Sequence, residues 1–466
     1  MEGSLRPFSR TGDEMKRPML FCFGLATISA ALLSNNLLSR TSAQEAAPRV
    51  WVYNSDESKV APYTLPDPLV LQNGKPVRDA ATWFHQRRPE ILHLFESQVF
   101  GRTPTKTLRV RYVVTSVDKN ALGGAAIRKQ ITAYFTSRPD GPAMHILLYI
   151  PARATKPVPV FAALNFGGNQ TVNADPGIDL NSIWAPDAQS TQNGNPSPPT
   201  FREHADEKTR GSVEHMWQVE KIISRGYALA TANYGDVEPD FAGGISHGVR
   251  PLFFAPGQTE PAPDEWGAEG AWAWGLSRIA DYLETDHDID PKKIAVMGHS
   301  RLGRASLWAG AQDSRFAIVI SNESGKAGAS LYRRSFGEPI AHLNIVFPHW
   351  FCTNFHQYTD HDDKVPVDGH MLLALVAPRP VYVASAEDNA GADPRGEFLG
   401  AVAAGPVYEL LHKDSLGTNQ WPPVNHPIMK TIGYHVRTGK HDVTEYDWEQ
   451  YLKFADMHFG KAAAQN

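Results

Sequence analysis

The chain is 466 residues long, 42% hydrophobic and 20% charged, with a formal net charge of −5. This is globular composition, with length for one large α/β domain or two ordinary ones. A mildly acidic chain without a basic stripe offers no footing to a nucleic-acid partner.

The N-terminus reads as a leader. Met15-Lys16-Arg17 is basic, residues 19–33 are mostly apolar, and Thr41-Ser42-Ala43 places small residues at a cleavage point. The apolar run has signal-peptide length and is too short for a comfortable membrane span. Residues 1–43 are therefore expected to be a cleaved signal, with export to the periplasm or medium of a bacterium. Leu20-Phe21-Cys22 is a poor lipobox. Cleavage removes five basic and three acidic residues, moves the net charge to −7, and leaves Cys352 as the one cysteine. Such a chain has no internal disulfide and must rely on a large core. No later run is long enough to span a bilayer, and a monomer is expected.

Residues 44–105 read as an N-terminal extension packed on a catalytic domain of residues 106–466. Within it, 80–100 carries Trp83, Phe84, Ile91, Leu92, Leu94 and Phe95 near helical spacing. Strands are predicted at 108–117, 127–135 and 144–151, with short loops that suit an antiparallel start. Another strand, 158–166, leads into Gly167-Gly168-Asn169. In an α/β-hydrolase the loop after the third strand lends a backbone N–H to the oxyanion hole, and residues 165–169 stand there. The stretch 172–209 is rich in Pro, Asn, Asp and Ser and reads as a long loop insertion. Helices are predicted at 212–225 and 265–285, with a strand at 227–232 between them. This alternation predicts a three-layer α/β sandwich, with a mainly parallel central sheet covered on both faces.

The chemistry centres on residues 291–310, PKKIAVMGHSRLGRASLWAG. An apolar strand, a turn around Ser300 and a helix form the setting of a nucleophile elbow. The common pattern is G-x-S-x-G; here Leu302 takes the second glycine position and glycine follows at Gly303. A serine needs a base, and the base needs a carboxylate to orient it. The strands 316–321 and 381–385 end in Glu323 and Asp388, so either can be the acid. His441, in a loop before a terminal helix at 447–459, is the expected base. His435 lies in a more strand-like setting and is the weaker candidate.

Several segments resemble the bacterial glucuronoyl esterases of carbohydrate esterase family 15. They are GHSRLGRASLWAG at 298–310, SNESGKAGASLYRRSFGE at 321–338, FPHWFCTNFHQY at 347–358, LVAPRPVYVASAED at 375–388, ADPRGEFLGA at 392–401 and GYHVRTGKHDVTEYDW at 433–448. The resemblance implies an α/β-hydrolase fold and hydrolysis of esters joining 4-O-methyl-glucuronic acid on xylan to lignin alcohols; no cofactor or metal is expected. It implies Ser300 as nucleophile, His441 as base, Glu323 or Asp388 as acid, and Arg301 at the oxyanion. Arg304 and Glu338 are implied in substrate binding, Glu338 at the sugar hydroxyls. Two departures stand out. Arg304 replaces the usual lysine, a cation of different hydrogen-bond geometry. Gly391 replaces the tryptophan expected against the glucuronate ring, a role another aromatic such as Trp184 could fill.

Three other readings stay open. One is an acetyl-xylan or related carbohydrate esterase, to which Gly391 gives weight. One is a metal protein, because His349, Cys352, His356, Asp360, His361, Asp362 and Asp363 crowd one segment; their spacing fits no standard zinc pattern. The last is a carbohydrate-binding protein without catalysis.

Overall fold

In a computed structural model, residues 53–138, 140–185, 191–192, 195–196 and 200–461 are described. The expected leader lies outside them. Nine strands form the main sheet: β1 Arg111–Asn120, β2 Ala126–Tyr134, β3 Ala143–Pro151, β4 Val158–Asn165, β5 Ala228–Asn233, β6 Ile289–His299, β7 Phe316–Asn322, β8 Val381–Ala386 and β9 Ile432–Arg437. Their order is β1-β2-β3-β5-β4-β6-β7-β8-β9. The first three strands and β5 pair antiparallel, and from β5 to β9 every pairing is parallel.

The strands β4, β5, β8 and β9 are buried along their whole length. Their apolar runs do not alternate with polar residues, because helices cover both faces. On one face, Trp272 of the helix Ala268–Leu283 and Trp308 of the helix Arg301–Gln312 pack with Val160, Ile294 and Val319. On the other, Ile222 of the helix Val219–Ser224 and Trp448 of the helix Glu445–Phe459 pack with Phe161 and Ile320.

Three elements differ from the sequence reading. The first strand starts at Arg111 rather than at 108. The helix expected over 212–225 is broken at Gln218, whose φ of 44° is left-handed, into Glu214–Trp217 and Val219–Ser224. Neighbours two apart on one helix point to opposite sides. The break lets Trp217 and Val219 both bury, at 7% and 1% exposure. Inside 172–209, Ile183–Ala185 pairs with Thr200–Arg202 as a short antiparallel ribbon.

Two features steady the elbow. Trp83, Ile91, Phe95 and Phe100 are fully buried, and Phe100 stacks on Trp308 of the elbow helix at 4.7 Å between ring centres. The terminal helix begins with a capping box in which Thr444 and Asp447 satisfy each other's backbone donors. Among the described residues no helix is long and apolar enough to cross a membrane.

Parallel register gathers the chemistry. His299 at the end of β6 lies opposite Asn322 at the end of β7, and Ala386 at the end of β8 lies opposite Arg437 at the end of β9. The loops that follow these strands therefore open on one edge of the sheet, where α/β folds place their sites.

Candidate active site

Ser300 follows β6 with φ 57° and ψ −129°. A non-glycine residue held there costs about 1–3 kcal/mol and persists only where its surroundings enforce it. Its N–H donates to Asn322 O at 2.8 Å. Gly298 is needed because a Cβ there would lie 1.9 Å from Leu302 O. The displaced second glycine also has a cause. A Cβ at Gly303 would lie 3.0 Å from Asn322 O and 3.1 Å from Ser324 Cβ. The close crossing of helix and β7 thus falls at 303, and Leu302 points into the core at 1% exposure.

Glu323 leaves β7 in a left-handed conformation, φ 49°, with its side chain fully buried. His441 Nδ1 lies 3.0 Å from its Oε2. Arg437 Nη2 donates to Oε1 at 2.7 Å, Asn389 Nδ2 to Oε2 at 2.7 Å, and the Asp442 N–H to Oε1 at 3.4 Å. Asn389 Nδ2 also lies 2.8 Å from His441 Nδ1. With Nδ1 protonated toward the carboxylate, that approach is not a hydrogen bond; amide and imidazole share one acceptor. His299, beside Ser300, packs its ring on His441 with centres 4.3 Å apart, which brings the imidazole to the elbow. Burial, then the neighbouring His441, push the His299 imidazole down to about 3. It stays neutral, with Nδ1 2.5 Å from Asn322 Oδ1.

The structure does not bring Asp388 to His441. Its side chain is exposed and its N–H donates to Gly439 O at 3.1 Å. Its neighbour Asn389 reaches the site instead. His435 is fully buried inside β9, with Nε2 2.9 Å from Asp447 Oδ1 and Nδ1 2.9 Å from the Tyr382 hydroxyl. Arg437 Nε also donates to Asp447, at 2.7 Å. A polar chain thus runs beneath the site from Glu323 through Arg437 and Asp447 to His435.

Arg301 forms an ion pair with Asp240, and its guanidinium lies 4.7 Å from the Trp350 ring centre and 5.4 Å from that of Phe347. His349 Nε2 and Trp350 Nε1 each lie 2.7 Å from Asp240 Oδ1. Burial alone would raise the Asp240 carboxyl, but the His349 contact and the Arg301 charge hold it well below the usual carboxylate range. Arg301 Nε is buried, and among the described residues no acceptor reaches it.

Arg304 is only 4% exposed. Its Nε donates to Lys326 O at 2.9 Å, and Nη1 lies 3.4 Å from Glu269, a buried carboxyl that desolvation pushes up to about 8. Its guanidinium sits 5.1 Å from the Trp350 ring centre. Glu338 is part-buried beside His342, 3.1 Å away, whose contact lowers its carboxyl against the opposing effect of burial. Trp184 goes elsewhere. It packs on Phe201, Phe241 and His247 and lines a cleft of about 660 Å³ that Ser300, Glu338 and His441 do not line. In the loop after β4, the Gly168 N–H is already given to Asn165 Oδ1 at 2.8 Å.

The segment 349–363 is not assembled as a metal centre. His349 serves Asp240, His356 Nε2 lies 3.1 Å from Pro348 O, and Asp362 pairs with Lys326 at 2.6 Å. Among the described residues, donor groups of three gather only at His299, Glu323 and His441 and at Asp286, His287 and Asp288. The first is the serine-adjacent cluster itself. In the second, Asp286 and Asp288 already hold Lys129.

Beneath the Glu323 loop, the buried Glu397 accepts from Ser385 Oγ at 2.6 Å and from the Gly325 N–H at 3.0 Å. Desolvation outweighs those bonds and pushes its carboxyl up to about 8. The folded chain then holds this proton more tightly than the unfolded chain. The stability so gained is full below the ordinary carboxylate value and is lost as pH rises through about 8. Glu397→Gln, neutral at every pH, should therefore gain in melting temperature relative to wild type between pH 5 and 9, by calorimetry. Parallel melting curves across that window would contradict the assignment.

A mainly parallel sheet covered on both faces, with a strained serine at the end of an interior strand, defines an α/β-hydrolase. A family model described as glucuronyl esterase, fungi, matches residues 261–412. Over 406 residues the chain is 48% identical to a carbohydrate esterase from an unknown prokaryotic organism, spanning 87% of this chain and 92% of that relative. A solved glucuronoyl esterase from Solibacter usitatus is 52% identical with a TM-score of 0.81, covering 87% of this chain and 100% of that one. A 4-O-methyl-glucuronoyl methylesterase of Podospora anserina is 33% identical over 171 residues, 34% of either chain. The chain belongs to carbohydrate esterase family 15, the glucuronoyl esterases.

Sequence reasoning missed Asp240, Asn389 and Arg437. Asn389 was one residue from the expected Asp388. Nothing in the local sequence marks Asp240 or Arg437, whose partners lie 61 and 114 residues away.

Proposed function

We propose that the chain hydrolyses 4-O-methyl-glucuronoyl esters joining glucuronoxylan to lignin alcohols, through an acyl-enzyme on Ser300. The observation that carries this reading is the strained Ser300 beside a His441–Glu323 pair, with the buried Arg301 Nε reached by no acceptor among the described residues. His441 shares its Nδ1 proton with Glu323, so Nε2 is the nitrogen that takes the Ser300 proton. Ser300 Oγ attacks the uronoyl carbonyl carbon, and the carbonyl oxygen becomes an oxyanion. Arg301, held by Asp240, faces that developing charge; a preorganised cation stabilises the transition state more than the neutral ester. The imidazolium returns its proton to the leaving alcohol. Water, activated by the same Nε2, then releases the uronic acid. Glu338 receives the sugar hydroxyls, and Arg304 lies behind it as a buried positive charge.

Arg301→Ala should lower kcat by about 100- to 1,000-fold with a smaller change in KM, as loss of an oxyanion donor does. Asp240→Asn should fall in the same direction by less, because the guanidinium stays but loses its anchor. Steady-state kinetics on benzyl glucuronate check both; an unchanged kcat in Arg301→Ala would contradict the role. The substrate class is tested by comparing benzyl glucuronate, acetylated xylan and p-nitrophenyl acetate on purified protein. The uronate ester should have the highest kcat/KM, and a preference for acetylated xylan would favour the acetyl-esterase reading.

The same reading takes residues 1–43 as a signal cleaved near Gln44, 44–105 as an extension of the catalytic domain 106–466, and the mature chain as an exported monomer. N-terminal sequencing of the exported protein and its sedimentation would test these points.

A further inference from the structure

Gly391 has three side chains within contact distance of where its own would begin. A Cβ built there would lie 3.3 Å from the Tyr53 hydroxyl, 3.6 Å from Asn389 Oδ1 and 3.7 Å from Glu338 Cγ. Three side chains thus surround one point. Asn389 touches Glu323 and His441, and Glu338 is the residue assigned to the sugar hydroxyls. The third comes from far earlier in the chain, at the start of the described residues.

Tyr53 is not loosely placed. Asn54 O accepts the Gly337 N–H at 2.9 Å, and Asn54 Nδ2 donates to Ser335 O at 2.6 Å. The Ala61 N–H donates to Ser335 Oγ at 3.1 Å, and Glu57 pairs with the buried Arg334. The segment 53–61 is therefore fastened along the loop that ends in Glu338. Tyr53 itself keeps 37% of its surface open. An exposed aromatic ring carried on a fastened segment, near a carboxylate and an amide, can present its face to the C–H side of a pyranose.

Resting on the functional reading above, we infer that Tyr53 supplies the aromatic contact to the uronoyl sugar that position 391 lacks. The N-terminal segment is then part of the substrate site. A Cβ at 391 would already come within 3.3 Å of the Tyr53 hydroxyl, so the tyrosine and a large residue at 391 would draw on one space.

The test uses the full mature chain and two substrates, benzyl glucuronate and p-nitrophenyl acetate, which has no sugar. Tyr53→Ala should raise KM for the uronate ester about fivefold or more and leave kcat within about twofold. Its turnover of p-nitrophenyl acetate should not change. Adding Gly391→Trp to Tyr53→Ala should bring KM back toward wild type, whereas Gly391→Trp alone should not lower it. Rescue of this kind separates sugar contact from a merely structural role. An unchanged KM in Tyr53→Ala, or an equal loss on both substrates, would overturn the inference. If wild type hydrolyses p-nitrophenyl acetate but not the uronate ester, the functional reading itself falls. If wild type cleaves the uronate ester and Tyr53→Ala does so with the same KM, only the inference falls.

Discussion

Ser300→Ala is expected to lower kcat/KM for a glucuronate ester by at least about 10,000-fold. The fold should survive. Alanine carries the same Cβ as serine, so the left-handed turn at φ 57° is no more strained than before. The backbone bond from residue 300 to Asn322 O is kept. A shift in melting temperature of no more than about 2 °C is expected, as for a small change with no core cavity. Substrate binding should also remain, because the proposed contacts of Glu338, Tyr53 and Arg301 are untouched. Kinetics with calorimetry on one preparation would check this. Substantial turnover by a folded Ser300→Ala protein would remove the nucleophile assignment.

The second large effect concerns the acid. Glu323→Gln should lower kcat by about 1,000- to 10,000-fold, as loss of the orienting carboxylate does in related relays. Four donors converge on Glu323: Arg437, Asn389, His441 and the Asp442 N–H. A carboxylate accepts them all; an amide has one oxygen and presents an N–H to the rest. Arg437 would keep Asp447 but lose its second carboxylate in a buried setting. A stability loss of about 1–3 kcal/mol is therefore expected alongside the kinetic one. Asp388→Asn, at an exposed position, should keep kcat within about threefold of wild type. Measuring kcat at saturating ester, with denaturant unfolding of each variant, separates the two effects. If Asp388→Asn were the more damaging change, Glu323 would not be the acid.

The sheet was legible because each buried strand is a short apolar run ended by Gly, Asn or charge, and the helices between them carry regular apolar spacing. From β4 onward, strand order and chain order then bring the loops of Ser300, Glu323 and His441 together. The boundary errors have local causes. Residues 108–110 precede the first ladder pair, Arg111 with Tyr134. Gln218 breaks a helix so that both its neighbours bury.

The site was less legible where it depends on distant contacts. Asp388 looked suitable because it follows β8 and is acidic, yet the turn exposes it and presents Asn389. The tether of Arg301 comes from Asp240, in a loop with no motif. Trp184 had the right chemistry to replace a missing aromatic but is drawn into the cleft with Phe241 and His247. Tyr53 is too far along the chain from Gly391 for spacing to suggest the pair.

The most direct test is to trap the acyl-enzyme. Protein turning over benzyl 4-O-methyl-glucuronate would be quenched in acid within the first turnovers, and its peptides analysed by mass spectrometry. A uronoyl group on the peptide that contains Ser300, absent from Ser300→Ala, is the predicted result. A uronoyl group on any other residue, or continued turnover by Ser300→Ala with no adduct, would contradict it.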